Sequence, residues 1–262
     1  MSARLHLAWP IAGLSLVLFA GCNRSSSTRD ASASPSTAVP ARSNGCSDLP
    51  SEGDLKKLLQ SAPTQEGADA GGLNHGKFMW GAVVNREGQL CAVAVSTDDA
   101  AAAWPGSRGI AIAKASTANA FSTDTAPLST ARLYTFSQPG HSLWGAGAGN
   151  PINPACLSTP SEPDAGVGRA CGGTIVFGGG LALYKGQTRV GGLGVSGDTS
   201  CADHEIAKRV RQAAGLNPPA GPSVDDITYS SIDGPTPFAH PLCPNTWRNG
   251  KKLGDEAPAS GY

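Results

Sequence analysis

Two residue pairs in the last quarter of the chain have the spacing of metal ligands: Cys201-x-x-His204 and, in mirror order, His240-x-x-Cys243. Thiolate sulfur and imidazole nitrogen at such spacing build tetrahedral Cys2His2 zinc sites. The same cysteines have a competing chemistry. In an oxidising compartment they join as a disulfide, and no thiolate is left for a metal. The chain reads as exported, so the disulfide is the expectation and zinc is not. That bond would still draw His204 and His240 towards one another, beside Asp203 and Pro241. A second constellation is Gly194-Val-Ser196-Gly197-Asp198-Thr199. A glycine turn opening a helix exposes several main-chain N–H groups beside the positive helix end, which can hold a carboxylate or phosphate. The same residues also suit an ordinary strand-to-helix corner.

Two literal motif matches carry less. Gly192-Leu-Gly194-Val-Ser-Gly197 spells the dinucleotide fingerprint, but no strand with a terminal acidic residue follows its helix. Ser196 lies in Gly-x-Ser-Gly, one residue short of the hydrolase elbow, without the Asp and His order of a triad.

The elements that must position these residues follow from periodicity. Thr188–Val195 is β-prone; Asp198, Thr199 or Ser200 can cap a helix carrying Ile206, Val210 and Ala213 on one face, ended by Gly215 and Pro218. Upstream, Leu55–Gln60 is a short helix started near Ser51 or Asp54 and cut by Pro63. Phe78–Asn85 and Gln89–Ser96 form an antiparallel hairpin through Asn85–Gly88. Leu90, Ala92 and Ala94 point one way and Cys91, Val93 and Val95 the other, so helices should cover both faces of the sheet. Ile110–Ser122 is helical, capped near Ser107; its alanines at 111, 113, 115, 118 and 120 admit either a close sheet or a flat ligand. Pro127 suits a further helix running to about Phe136. Gln138–Cys171 is proline-rich loop, Thr174–Lys185 and Thr188–Val195 are strands turning at Gly186, and Ile227–Ile232 adds one short strand. The fold class is α/β (α+β), a mainly antiparallel sheet layered by helices.

Residues 1–21 combine Arg4 and His6 with an apolar run from Leu7 to Ala20, the form of a signal peptide. Cys22 after Ala20-Gly21 resembles a bacterial lipobox, which implies lipidation at Cys22 and anchorage in the cell envelope by lipid alone. Asn23 fits sorting to the outer membrane; a plain secretory signal is the alternative. Residues 22–45 are a Ser/Ala/Pro tether, 46–245 the folded domain, and 246–262 a C-terminal tail. With 20 basic and 20 acidic residues and no basic run, nucleic acid is excluded as a partner. Setting Cys22 aside, Cys46, Cys91, Cys156, Cys171, Cys201 and Cys243 remain, an even number with many possible pairings. Cys156 with Cys171 is the most local choice, Cys201 with Cys243 ties the last helix to the C-terminal segment, and Cys46 is left for Cys91.

Three blocks carry a family resemblance: Lys114–Ala118 (Lys-Ala-x-Thr-Ala), Gly178–Gly180, and Gly194–Gly197 followed by Asp203 on the final helix. Together they resemble the GlcG/HbpS family of haem-binding, or haem-degrading, domains over about residues 78–216, interrupted by a long Pro/Gly-rich insertion at about 134–174. The resemblance implies a profilin-like α/β/α architecture, a haem or related tetrapyrrole ligand, and self-assembly into a homo-oligomer. It implies capture, buffering or sensing of that ligand, with haem degradation or peroxide-linked chemistry as the enzymatic alternative. A cofactor-free, disulfide-stapled interaction module is the third reading. On this basis His204 and His240 are candidate iron ligands. Lys114 and the amides of Gly197–Thr199 would meet the propionates; His75 and His141 are weaker candidates. Gly173, Gly178–Gly180, Ala111–Ala120 and the Gly194–Asp198 turn, with Ser196 and Asp203, would wall a slot for the macrocycle.

Overall fold

The computed structural model describes residues 44–157 and 166–258. The signal peptide, Cys22 and residues 22–43 of the tether lie outside the described residues, as does 158–165 of the insertion.

Ser51 caps the first helix, α1 (Glu52–Ser61), in a reciprocal arrangement with Asp54, and Pro63 begins a 3-10 extension of it. The hairpin follows as β1 (Trp80–Asn85) and β2 (Leu90–Val95), and then α2 (Ser107–Phe121). A single turn, α3 (Ala146–Gly149), lies in the insertion. Next come β3 (Gly180–Lys185), β4 (Thr188–Ser196) and α4 (Ser200–Ala213); α5 (Ser230–Asp233), β5 (Thr246–Arg248) and β6 (Lys251–Gly254) complete the order. The main sheet runs β2-β1-β4-β3, with every neighbouring pair antiparallel.

Both faces are covered. On one, Leu55 and Leu59 of α1 and Ile206 and Val210 of α4 meet Val83, Leu181, Leu183, Leu193 and Val195. On the other, Ala111, Ile112 and Ala115 of α2 meet Ala82, Val84, Leu90 and Val93. These are the α/β/α layers. The second-strand assignment needs one correction: a bulge between Val83 and Val84 pairs Val84 with Leu90 and Val83 with Ala92. The unpaired residue breaks the alternation, so Leu90 packs under α2 while Ala92 and Ala94 face α1.

The alanine helix proves to be sheet packing. A Cβ on Gly194 would strike the Ala111 carbonyl, and one on Gly192 the Ala115 carbonyl. Small residues on both partners let the α2 main chain settle directly onto β4, leaving no room for a flat ligand between them.

Three further expectations are corrected. No helix follows Pro127; Thr130–Leu133 and Thr135–Ser137 are short 3-10 turns. The Thr130 hydroxyl donates to the Phe177 carbonyl at 2.6 Å and accepts from the Gly180 amide at 2.8 Å, fastening this segment to the start of β3. These tertiary bonds outweigh local helix propensity. Ile227–Ile232 is no strand: Thr228 makes one bridge to Ala239, and Asp233 turns the chain into α5 by accepting from the Tyr229 amide at 2.8 Å. Residues 246–254, placed by sequence in the tail, form the β5–β6 hairpin.

Disulfides join Cys46 to Cys91, Cys156 to Cys171 and Cys201 to Cys243. The first ties the start of the domain to β2, the second closes the insertion, and the third fastens the C-terminal segment to α4. Buried pairs strengthen that last attachment: Arg211 holds Asp225 at 2.7 Å and Lys208 holds Asp226 at 2.7 Å. No helix among the described residues is long and apolar enough to cross a membrane.

Candidate functional site

The β4–α4 corner forms as its sequence requires. Thr199 adopts extended geometry and its hydroxyl accepts from the Ala202 amide, capping α4. The amides expected to be free are not free. Asp203, one turn into the helix, accepts from Gly197 N at 3.0 Å and Asp198 N at 2.9 Å through one oxygen. Its other oxygen accepts from Lys114 Nζ at 2.7 Å, and Lys114 also donates to the Val195 carbonyl at 3.0 Å. Thr199 N donates to Asp198 Oδ1 at 2.7 Å. A carboxylate of the chain itself therefore occupies the place foreseen for a propionate. Lys114 and Asp203 are both buried. Burial lowers the Lys114 pKa and pushes the Asp203 carboxyl up to about 6. The two groups form a buried ion pair at 2.7 Å. Lys114 is thus a structural cation, not one awaiting a ligand.

The two favoured histidines are interior as well. His240 is 3% exposed; its Nδ1 donates to the Pro241 carbonyl at 2.7 Å, and Nε2 lies 3.4 Å from the Gly178 amide and from Ser200 Oγ. Its ring sits between Tyr134, at 4.9 Å, and Tyr229, at 6.4 Å between centroids. Burial drives its pKa down to about 4, so it is neutral. His204 is fully buried, with Nε2 at 3.3 Å from Asp226 Oδ1 and 3.2 Å from the Ile227 amide, while Nδ1 has no hydrogen-bond partner. The ligand atoms of Cys201, His240 and Cys243 lie within 4.8 Å of one another, a grouping that leaves out His204. Both sulfurs are spent in the Cys201–Cys243 bond, so no thiolate is available to zinc.

The foreseen slot is filled by protein. A Cβ on Gly180 would meet Thr130 and the Lys114 carbonyl, one on Gly178 the Ser200 carbonyl, and one on Gly173 the Ala113 side chain. Ser196 pairs with Trp80 in the sheet and is buried. The sequence-nominated residues do come together, but as a closed polar core joining α2, β4 and α4.

Two candidate histidines are exposed, His141 in the insertion and His75, and of these His75 has a carboxylate beside it. Its Nδ1 lies 2.8 and 3.0 Å from the two carboxylate oxygens of Asp69. Its side chain is 51% exposed, and it has φ +55, a left-handed conformation unusual for a non-glycine residue. It borders a surface hollow of about 370 Å³ lined by Pro63, Thr64, Ala68, Asp69, His75 and Lys77. Both rims are fixed by the segment just described. The Asp198 carboxylate accepts from Leu73 N at 2.6 Å, Asn74 N at 2.8 Å and Gly76 N at 3.2 Å. Arg209 of α4 donates to the carbonyls of Ala62, Pro63, Ala68 and Asp69 at 2.9–3.2 Å. Asp198 is thus a site residue in a different sense, as the anchor of the His75 loop. Asp69 is held below its usual pKa: burial alone would raise it, but the Gly71 amide, His75 and the Ala70 amide outweigh that. Sequence spacing carries only a faint signal for this pair, an Asp and a His six residues apart in a glycine-rich loop. A second hollow, of about 380 Å³, lies between α1 and the end of α4, beside Asp54, Lys57 and Leu216.

A four-stranded antiparallel sheet between helical layers, closed by the Lys114–Asp203 pair at a glycine corner, defines the class of domain. The chain belongs to the HbpS-like family, described as haem degrading protein HbpS-like, whose model matches residues 66–212. Among solved structures it is similar to protein ORFY of Klebsiella pneumoniae, at 21% identity over 62% of this chain and 85% of that one, TM-score 0.42. It is also similar to the PduOC:heme complex, at 22% identity over 64% and 94% of the two chains, TM-score 0.42. A Streptomyces reticuli HbpS double mutant is similar at 16% identity over 72% and 97%, TM-score 0.36. No curated protein matches the chain.

Proposed function

We propose that this chain is an exported protein, held to the bacterial envelope by a lipid on Cys22, that binds haem or a related tetrapyrrole reversibly for capture, buffering or sensing. Membership of the haem-related family across residues 66–212 carries this reading. The three disulfides support export, because such bonds persist in oxidising compartments. The closed polar core does not fit a macrocycle: Lys114, His204, His240 and the corner amides already have partners or lie beneath the surface. The ligand is therefore seated at the surface. Self-assembly, implied by the family resemblance, would let a second copy cover a face that one copy leaves open.

The test is titration of oxidised protein with hemin. A Soret band that saturates, together with a rise in melting temperature, supports the proposal; neither change at saturating hemin would dismiss it. The family's description favours a second reading, degradation of the bound haem. Loss of the haem spectrum with iron release under a reductant would establish it, and a stable spectrum would leave simple carriage.

A further inference from the structure

We infer that the Cys201–Cys243 disulfide covers a latent zinc site, opened by a dithiol reductant and made of the two thiolates, His240 Nε2 and one oxygen ligand. The inference does not depend on haem binding. In the oxidised protein described above both sulfurs are engaged with each other, so the site exists only after reduction.

Three features set this disulfide apart. The first is its company. A ring nitrogen of His240 and the sulfurs of Cys201 and Cys243 lie within 4.8 Å of one another, the one such grouping of three among the described residues. Neither Cys46–Cys91 nor Cys156–Cys171 takes part in one. Two thiolates, an imidazole and an oxygen make a tetrahedral set suited to zinc, which favours sulfur and nitrogen donors.

The second feature is the orientation of the imidazole. Nδ1 donates to the Pro241 carbonyl at 2.7 Å, and this fixes the tautomer whose lone pair is on Nε2. The neighbours of Nε2, the Gly178 amide and Ser200 Oγ, both stand at 3.4 Å. Those contacts are long for hydrogen bonds, so the lone pair is only weakly engaged. Ser200 Oγ is also 3.4 Å from Cys243 Sγ, so the ligand nitrogen and a ligand sulfur border the same hydroxyl.

The third feature is what reduction would leave behind. The Cys201 amide, in the first turn of α4, donates to Cys243 Sγ at 3.2 Å. An amide at the positive end of a helix favours thiolate over thiol. Cys243 is 6% exposed and lies between exposed Pro241 and Pro244, with half-buried Ser200 beside it, so a small dithiol and water have a short way in.

The chemistry balances. The dithiol gives two electrons and two protons: its own sulfurs end joined as a disulfide, and Cys201 and Cys243 become thiols. Zinc then takes both as thiolates and releases two protons, with Ser200 Oγ or water as the fourth ligand. The metal replaces the covalent strap and keeps the C-terminal segment fastened to α4.

In the experiment, full-length protein is reduced with excess dithiothreitol, freed of it anaerobically and titrated with zinc chloride, or with cobalt chloride as a spectroscopic probe. Reduced protein should take up one zinc per chain and oxidised protein none. Cobalt should give thiolate charge-transfer and tetrahedral d–d bands. Iodoacetamide followed by peptide mass spectrometry should find Cys201 and Cys243 shielded by zinc and Cys46, Cys91, Cys156 and Cys171 labelled. His240→Gln should weaken zinc about tenfold or more and shift the cobalt bands. No zinc uptake by reduced protein, or uptake with Cys201 and Cys243 still labelled, overturns the inference. So does an unchanged affinity and cobalt spectrum in His240→Gln. Circular dichroism accompanies each step, and a reduced chain that stays unfolded with zinc present overturns it too.

Discussion

Asp203 takes the Lys114 ammonium at 2.7 Å on one oxygen and closes the turn amides of Gly197 and Asp198 with the other. Through these bonds α2, β4 and α4 share one buried charge pair. A pair of this kind is costly to break from one side, because the surviving charge is left in the interior without compensation.

Replacing Lys114 with Met should therefore destabilise the fold by about 3–5 kcal/mol. The double variant Lys114→Met with Asp203→Leu should recover part of that loss, since no lone charge remains, although the two turn amides would still lack an acceptor. Urea denaturation of the four proteins in a double-mutant cycle measures the coupling. Near-additive losses would mean that the pair does not act as a unit.

Acidification should weaken the protein through His240. Its folded-state pKa, about 4, lies below the unfolded value, so the unfolded chain binds the extra proton first. The associated stability is present above about pH 6.5 and is lost as pH falls towards 4, on the order of 3 kcal/mol in all. Asp203 works in the opposite sense: its raised pKa, about 6, favours the folded state at low pH, and that contribution is lost as pH rises through 6. Comparing wild type with His240→Gln cancels the Asp203 contribution. The variant should show the shallower loss on acidification, and identical slopes would rule out a buried neutral His240.

Packing of α2 on β4 admits no side chain at Gly194. Gly194→Ala should cost about 1–3 kcal/mol, because its methyl would press on the Ala111 carbonyl and no flexible side chain can yield. Gly88→Ala has open space around its Cβ and loses mainly the left-handed turn conformation, so it serves as the comparison. Equal melting temperatures for Gly194→Ala and wild type would contradict the close approach.

Oxidised protein should contain no free thiol among Cys46, Cys91, Cys156, Cys171, Cys201 and Cys243. Loss of the Cys201–Cys243 bond by paired Ser substitution should cost about 2–4 kcal/mol and loosen residues 217–256. Thiol titration and the melting temperature with and without a reductant check both statements.

Asp198→Ala should free the amides of Leu73, Asn74 and Gly76, and their hydrogen exchange should accelerate while the core strands stay protected. The cost is about 1.5–3 kcal/mol for loss of bonds to a charged acceptor.

Much of the fold was legible because its signals are local. Ser51 with Asp54, Thr199 before the Ile206–Val210 face, and Asn85–Gly88 between two apolar strands each specify an element within a few residues. Where a tertiary bond competes, local reading fails. Thr130 is captured by Phe177 and Gly180, and Asp233 by Tyr229 and Arg248, and both segments leave the conformation their own sequence favours. The site was legible in its membership and misread in its role. Lys114 and Asp203 bond one another, while His204 is turned to Asp226 and His240 to the Pro241 carbonyl, all of them inside the protein.

Residue order alone determined the layered sheet, the approximate starts of the helices near Ser51 and Thr199, and the one local cysteine pair, Cys156 with Cys171. Hydrophobic period and turn chemistry act over short separations and need no partner to be named. Only the tertiary structure decided which polar groups keep a free valence, because that depends on what arrives from distant sequence. Asp203 closes the amides that looked open, and Asp69 pairs with His75, which the sequence ranked below His204 and His240.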